Sequence, residues 1–368
     1  MQITCSFRQF KSLLQTAAKV TGKNSLVPVA STVCFETNKD MLIVSATNIN
    51  LSVKIQNKVT VKKEGRVVVP VTQILSFVGS INPPEDAQIT LSNEGTTLVL
   101  QGATFKTSIK TLPEEDFPTI GKNEGYSFSC LNTEFTNALK SVYFSAAQSD
   151  IKPEISSIFI TYQEDTLVFV ATDSFRLSEK RVYIPDLYGF PSILIPIKNV
   201  VEIIKILESS IGSLKITINQ NQLSIEVANI YINSHILNAA FPDYTKIIPQ
   251  KTETSVKVLT KDFIDLCKAA TVFSNKDREL SLSVDTKKNT MHIETLTPDA
   301  GSFTGDVNCK SAGESFKTSL NHEYLLNFFS VAGTDSLEIL WFGENKPLIF
   351  KPLGDETYLY LVMPMRKN

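Results

Sequence analysis

The sequence predicts an α+β protein of three like domains in tandem, each with two helices packed on β-sheet. Two observations carry this. A set of landmarks recurs with a step of about one third of the chain, and each third repeats the same order of helical and strand-like hydrophobic periods. The clearest landmark is an aromatic followed by apolar residues at i+3, i+4 and i+7: Phe10, Leu13, Leu14, Ala17; then Phe135, Ala138, Leu139, Val142; then Phe263, Leu266, Cys267, Ala270. The phenylalanines are 125 and 128 residues apart. Ala46-Thr47-Asn48 returns as Ala171-Thr172-Asp173, and Asp116-Phe117-Pro118 has a counterpart in Ala240-Phe241-Pro242. Short polar linkers at 122–125 and 251–254 divide the chain into domains 1–122, 123–250 and 251–368.

Within each third, the first helix follows from the aromatic stripe, because 3.6-residue periodicity places those four positions on one face. Alternating runs such as 41–45 and 166–170, bounded by Asn, Asp and Gly, then predict strands. Second helices are expected at 73–81, 199–207 and 321–331, after short strands that end in Pro or a polar cap. Hairpins close each third, for example 214–218 with 223–227 across Asn219-Gln220-Asn221.

Composition frames what such an array does. With 42% hydrophobic and 20% charged residues, the 368-residue chain has material for several proper cores. No apolar run approaches the ~18 residues that span a bilayer, and the start Met1-Gln2-Ile3-Thr4-Cys5 lacks a secretory pattern, so a cytoplasmic protein with no membrane association is expected. Cys5, Cys34, Cys130, Cys267 and Cys309 contain no C-x-x-C pair and read as free, mostly buried thiols. A net charge of −2 gives no global attraction to nucleic acid, so any such contact needs local segregation of charge.

That segregation is visible on the helices. Arg8, Lys11, Gln15 and Lys19 fall within roughly an 80° arc opposite the Phe10 stripe. Lys140, Lys198, Lys205, Lys261 and Lys268 occupy related outer faces, diluted by Glu202 and Asp265. Lysine on one exposed helix also serves solubility alone. Its recurrence on three related helices favours a function.

Three segments then carry a resemblance: Ala171-Thr172-Asp173-Ser174-Phe175-Arg176-Leu177, Phe241-Pro242-Asp243-Tyr244, and Tyr360-Leu361-Val362-Met363-Pro364-Met365-Arg366. In order and spacing they resemble those of the bacterial sliding clamps, the β subunits of DNA polymerase III, over the whole chain. The resemblance implies domains of the DNA-clamp type, joined head to tail in a homodimer as a six-domain ring. Helices would line the hole and face double-stranded DNA, encircled without sequence preference. Arg8, Lys11, Lys19, Lys23, Lys140, Lys198, Lys205 and Lys268 would form the pore wall, with Gln148 and Ser149 in a loop near tilted DNA. Diffuse phosphate contacts of this kind exchange easily, as sliding requires.

The resemblance also implies a cleft for short peptides of the DNA polymerase III α subunit, the clamp loader complex, and other polymerases and repair proteins carrying clamp-binding motifs. Its positions are Ile155, Thr172, Ser174, Phe175, Arg176 and Leu177, then Pro242, Lys246 and Ile247. Asn321 and Tyr324 follow, with Leu361, Met363, Pro364, Met365 and Arg366 at the end of the chain. Apolar walls with two adaptable methionines suit varied peptides, with Arg176, Lys246 and Arg366 expected as rim charges. Phe175 stands where many clamps have His, and Ser174 where many have Gly. The dimer seam would set Val272 and Phe273 against the strand holding Thr107 and Ile109.

An enzyme is the rival class. His235, His292 and His322 share no ligand or catalytic spacing, Gly22-Lys23-Asn24-Ser25 is not a phosphate loop, and Glu114-Glu115-Asp116 reads as a solvated linker. No cofactor or metal site is therefore expected, and catalysis is assigned to no residue. A scaffold without nucleic acid would keep the repeats but would not need the basic helix faces. Salt-sensitive retention on circular DNA separates the two.

Overall fold

The computed structural model describes residues 1–22, 27–297 and 301–365. Among them are six α-helices: α1 (Phe7–Ala18), α2 (Val71–Ser80), α3 (Asn132–Val142), α4 (Ile197–Leu207), α5 (Thr260–Thr271) and α6 (His322–Ala332). Each third thus has its expected pair. The second helices α2 and α4 begin two residues earlier than the sequence suggested, since Pro70 and Pro196, not a polar side chain, end the preceding strands. Where a polar cap is present, as at Asn321, its side chain accepts from the Glu323 N–H at 2.9 Å and fixes the start.

Contacts divide the chain into two compact units: Met1–Thr136 with Lys198–Asn238, and Asn137–Ile197 with the described residues from Ala239 onward. Each unit takes half of the middle repeat, because its strands join sheets begun in the flanking repeats.

In the first unit an eight-stranded antiparallel sheet runs Tyr126–Leu131, Ser213–Ile218, Gln222–Val227, Ile230–His235, Leu51–Lys58, Met41–Thr47, Thr32–Asn38, Arg66–Pro70. A five-stranded sheet runs Thr60–Lys63, Gln2–Ser6, Gln88–Glu94, Thr97–Gln101, Lys106–Lys110. The stripe Phe10, Leu13, Leu14 and Ala17 of α1 is buried, and the Phe10 ring meets Phe35 at 5.6 Å. Burying each large side chain contributes roughly 1.5–3 kcal/mol. This is why the stripe, more than helix propensity, fixes α1.

The turn after Met41–Thr47 contains a strained residue. Ile49 has φ 81° and is exposed, a conformation that β-branched residues avoid. Replacing it with Asn, which tolerates this region, is expected to stabilise the protein by about 1 kcal/mol. Thermal unfolding of Ile49→Asn checks this, and an unchanged or lower melting temperature counts against the strain.

In the second unit a twelve-stranded antiparallel sheet runs Ile193–Pro196, Ser157–Gln163, Thr166–Thr172, Arg176–Tyr183, Tyr358–Val362, Leu348–Pro352, Ser336–Trp341, Thr254–Leu259, Gly301–Gly313, Thr290–Thr297, Glu279–Asp285, Phe316–Asn321. Its core holds Phe263 of α5 against Phe329 of α6, and Phe328 stacked on Tyr360 with centroids 5.0 Å apart. The C-terminal strand is also tied down by hydroxyls: Tyr358 donates to the Ser141 carbonyl at 2.7 Å and Tyr360 to that of Tyr324 at 2.9 Å. Gly333, at φ 54°, ends α6 in the left-handed cap that glycine adopts without strain.

All five cysteines are free and buried, and burial pushes the thiols of Cys5 and Cys130 up to about 12. His322 is buried at the start of α6, with Nε2 2.9 Å from Ser274 Oγ and, among the described residues, no partner at Nδ1. Burial, and then the Arg278 charge, hold its pKa below the ordinary 6.5. The unfolded chain therefore binds this proton more readily. Stability is level above about pH 6.5, falls as pH drops through that value, and levels off below the folded pKa. His322→Gln is expected to flatten that part of the fall, measured as melting temperature between about pH 7.5 and 5. An identical pH profile in the variant contradicts the linkage.

Candidate partner-binding site

The site begins with the turn 172–176, which links two neighbouring strands of the larger sheet. Thr172 Oγ1 donates to the Arg176 carbonyl at 2.7 Å and accepts from the Ser174 N–H at 3.1 Å. Asp173 Oδ1 accepts from the N–H groups of Phe175 and Arg176 at 2.9 and 3.0 Å. Asp and Thr make such turns because their short side chains reach the backbone two to four residues on. Ser174 is held at φ 79° and Phe175 is thrust outward, 62% exposed. A positive φ explains why glycine suits position 174.

The end of the chain closes over this turn. Strand Tyr358–Val362 pairs with Arg176–Tyr183, and the Met363 N–H continues the ladder to the Phe175 carbonyl at 2.8 Å. The Met365 N–H reaches the Ser319 carbonyl, also at 2.8 Å. Ser174, Phe175, Asn321, Tyr324, Met363, Pro364 and Met365 thus line one cavity of about 560 Å³. An aromatic and thioether lining of this size suits an apolar peptide side chain.

Several expected site residues lie beneath that lining. Leu177 and Leu361 are fully buried in a cluster with Val168, Val170 and Tyr244, and Thr172 spends its hydroxyl inside the turn. Ile155 is buried and is not among the lining residues. Arg176 is a correction: it is no rim charge but is buried, its Nε 2.9 Å from Asp173 Oδ2 and its guanidinium 4.3 Å over the Tyr324 ring. An arginine in this position wedges Tyr324 into place. Asp173 and Phe144, whose ring is 5.8 Å from the same guanidinium, complete the support. Sequence reasoning missed both supports, although the Asx-turn signal at Asp173 was available.

Pro242, Lys246 and Ile247 are exposed on the 240s segment, anchored by buried Tyr244 in the Leu177 cluster. Lys246 pairs with Asp243 at 2.9 Å, an exposed contact. Arg366 lies outside the described residues.

Three sequence profiles of one family cover the chain in order: the N-terminal domain of the DNA polymerase III β subunit over 1–121, the central domain over 131–243 and the C-terminal domain over 245–366. The chain belongs to the family of bacterial sliding clamps, the DNA polymerase III β subunits. Full-length relatives agree. A beta sliding clamp of Staphylococcus aureus is 21% identical over 376 residues, covering 100% of this chain and 99% of the relative. One of Vibrio cholerae is 24% identical over 360 residues, covering 97% of each. The fold matches the sliding clamp of Bartonella birtlesii bound to griselimycin, with TM-score 0.94, 23% identity and complete coverage of both chains. It also matches the β subunit of Thermotoga maritima, with TM-score 0.92, 24% identity and complete coverage of both chains. Three clamp domains of mixed helix and sheet follow, in a DNA sliding clamp that is a non-catalytic processivity factor.

The clamp's basic positions fare unevenly. Among the described residues, Lys11 and Lys268 carry no ion pair, and Arg8 only a long exposed contact of 3.9 Å to Glu85. Lys19 is half-buried, and its ammonium donates to the Lys205 carbonyl at 2.6 Å in an exposed contact near the end of α4, where a cation offsets the negative end of the helix. Burial in that contact lowers its pKa. Lys205 pairs with Glu202 at 2.8 Å, and Lys140 and Lys198 also have partners. Gln148 and Ser149 are exposed, and Lys23 lies outside the described residues.

At the expected seam Val272 is 72% exposed, and Phe273 is half-buried, stacked on Phe303 at 6.5 Å. Thr107 is half-buried, and the Ile109 side chain faces inward and is buried, which leaves the strand's backbone edge and Thr107 on the surface. Strand alternation puts the two on the same face, and the sheet's own core claims the apolar one. Among the described residues, no helix is long and apolar enough to cross a membrane, and no three His, Cys, Asp or Glu side chains gather as metal ligands.

Proposed function

We propose that this clamp is a head-to-tail homodimer whose six domains, with limits near 1–122, 123–250 and 251–368, close a ring around duplex DNA. A clamp loader places it there, and it tethers the polymerase III α subunit and other motif-bearing polymerases and repair proteins. The observation that carries the tethering role is the 560 Å³ cavity lined by Phe175, Tyr324, Met363 and Met365. A tether raises the polymerase's effective concentration at the primer end, and that is processivity.

Two unpaired edges favour the ring. Lys106–Lys110 is the last strand of the five-stranded sheet, and the first half of Gly301–Gly313 pairs on one side only among the described residues. Exposed edges of this kind are ready to pair with another chain. The experiment is retention on DNA. Loaded clamp is expected to stay on nicked circular duplex and run off linear duplex, and equal loss from both refutes encirclement. Lys11→Glu with Lys268→Glu is expected to shorten retention and to reduce the salt slope by about 2 if each contacts one phosphate. An unchanged slope rejects both residues as DNA contacts.

A further inference from the structure

The clamp contains its peptide-site frame twice. In the turn 47–51, Thr47 Oγ1 donates to the Leu51 carbonyl at 3.2 Å and accepts from the Ile49 N–H at 3.0 Å. Asn48 Oδ1 accepts from the N–H groups of Asn50 and Leu51 at 3.1 and 2.8 Å. These are the bonds of turn 172–176, residue for residue, including the positive φ at Ile49 and Ser174. The closing strand is repeated as well. Ser234 pairs with Leu51 as Val362 pairs with Arg176, and one residue further the His235 N–H donates to the Asn50 carbonyl at 2.8 Å, as Met363 does to Phe175. Even the approach segment matches: Phe117 and Ile120 pack on Cys34, while Phe241, beside Tyr244, stacks on Phe159, the position 125 residues after Cys34.

This second frame also fronts a cavity, of about 510 Å³, lined by Ile49, Asn50, Asp116, Lys122, Gln222, Asn233 and His235 among others. Its chemistry differs from that of the first. Asn50 stands where Phe175 does, and His235 where Met363 does. Asn233 Nδ2 donates to Gln222 Oε1 at 3.3 Å, while its buried Oδ1 has no partner among the described residues. Asp116 and Lys122 balance in charge, so the lining selects neither a carboxylate nor a cation. A neutral carboxamide, donor and acceptor together, satisfies such a lining best.

The geometry points to a second docking site in this cavity, taking an extended partner segment anchored by a glutamine or asparagine side chain. The inference borrows the peptide-cleft reading of the Phe175–Met363 cavity, and its test separates the two. The probes are N-acetyl-glutamine N-methylamide and N-acetyl-leucine N-methylamide, each titrated into the full-length clamp to about 10 mM, where ligands this small bind measurably. The glutamine probe is expected to shift the His235 imidazole resonances and leave the Met363 and Met365 methyls in place. The leucine probe is expected to do the reverse. Asn50→Phe with His235→Met is expected to reduce saturation transfer to the glutamine probe at least five-fold. No His235 shift, or an equal shift of both reporters by the glutamine probe, overturns the second site even if the variant fails to fold. Failure of the leucine probe at the methionines overturns the first-site reading and leaves the glutamine result to decide this one.

Discussion

Truncation after Val362 is expected to abolish partner-peptide binding while leaving the dimer intact. Met363, Pro364 and Met365 supply three of the seven side chains that line the cavity, and the N–H groups of Met363 and Met365 hold that wall to Phe175 and Ser319. Removing them opens the cavity on one side, so an apolar anchor no longer loses its water. Affinity should fall at least 100-fold, equivalent to about 2.7 kcal/mol. Fluorescence anisotropy with a peptide from the chain's own replicative polymerase reads the loss, and light scattering reads the dimer. Affinity retained within about three-fold would mean that the peptide sits elsewhere.

The second large effect concerns the seam. Phe273→Asp is expected to yield a monomer of 40.8 kDa at micromolar concentration, where the unmodified chain gives twice that mass. Phe273 rests on Phe303 beside exposed Val272. A carboxylate there would be desolvated without a partner on dimerisation, a cost of several kcal/mol. Phe273→Leu keeps the apolar character and should remain dimeric, which separates loss of the seam from loss of the fold. A dimeric Phe273→Asp protein removes this residue from the interface.

Much of the clamp was legible because it depends on local periodicity. The stripes at Phe10, Phe135 and Phe263 each fall on a first helix, and the runs at 41–45 and 166–170 fall on strands. The motif 171–177 marked the turn at which the partner cavity is built. Arg176 shows where such reading stops. Its charge suggested a solvent-facing rim, yet Asp173, Tyr324 and Phe144 enclose it. Tyr324 lies 148 residues further along the chain, and no spacing rule places it over that guanidinium. Lys19 likewise has a long-range partner. Helical arithmetic put it with Lys11, but the Lys205 carbonyl, 186 residues away, takes its proton donor.

By itself, the sequence determined the three-fold repeat, the helix and strand order, the free thiols and the family motifs, since each follows from hydrophobic period or residue chemistry within a short window. Only the tertiary structure decided which motif residues face a ligand and which support those that do. It also decided that turn 47–51 has a closing strand of its own and fronts a cavity, in the same arrangement as turn 172–176. Both outcomes depend on strand pairing between distant segments, where burial and hydrogen bonding are shared by residues that no local pattern connects.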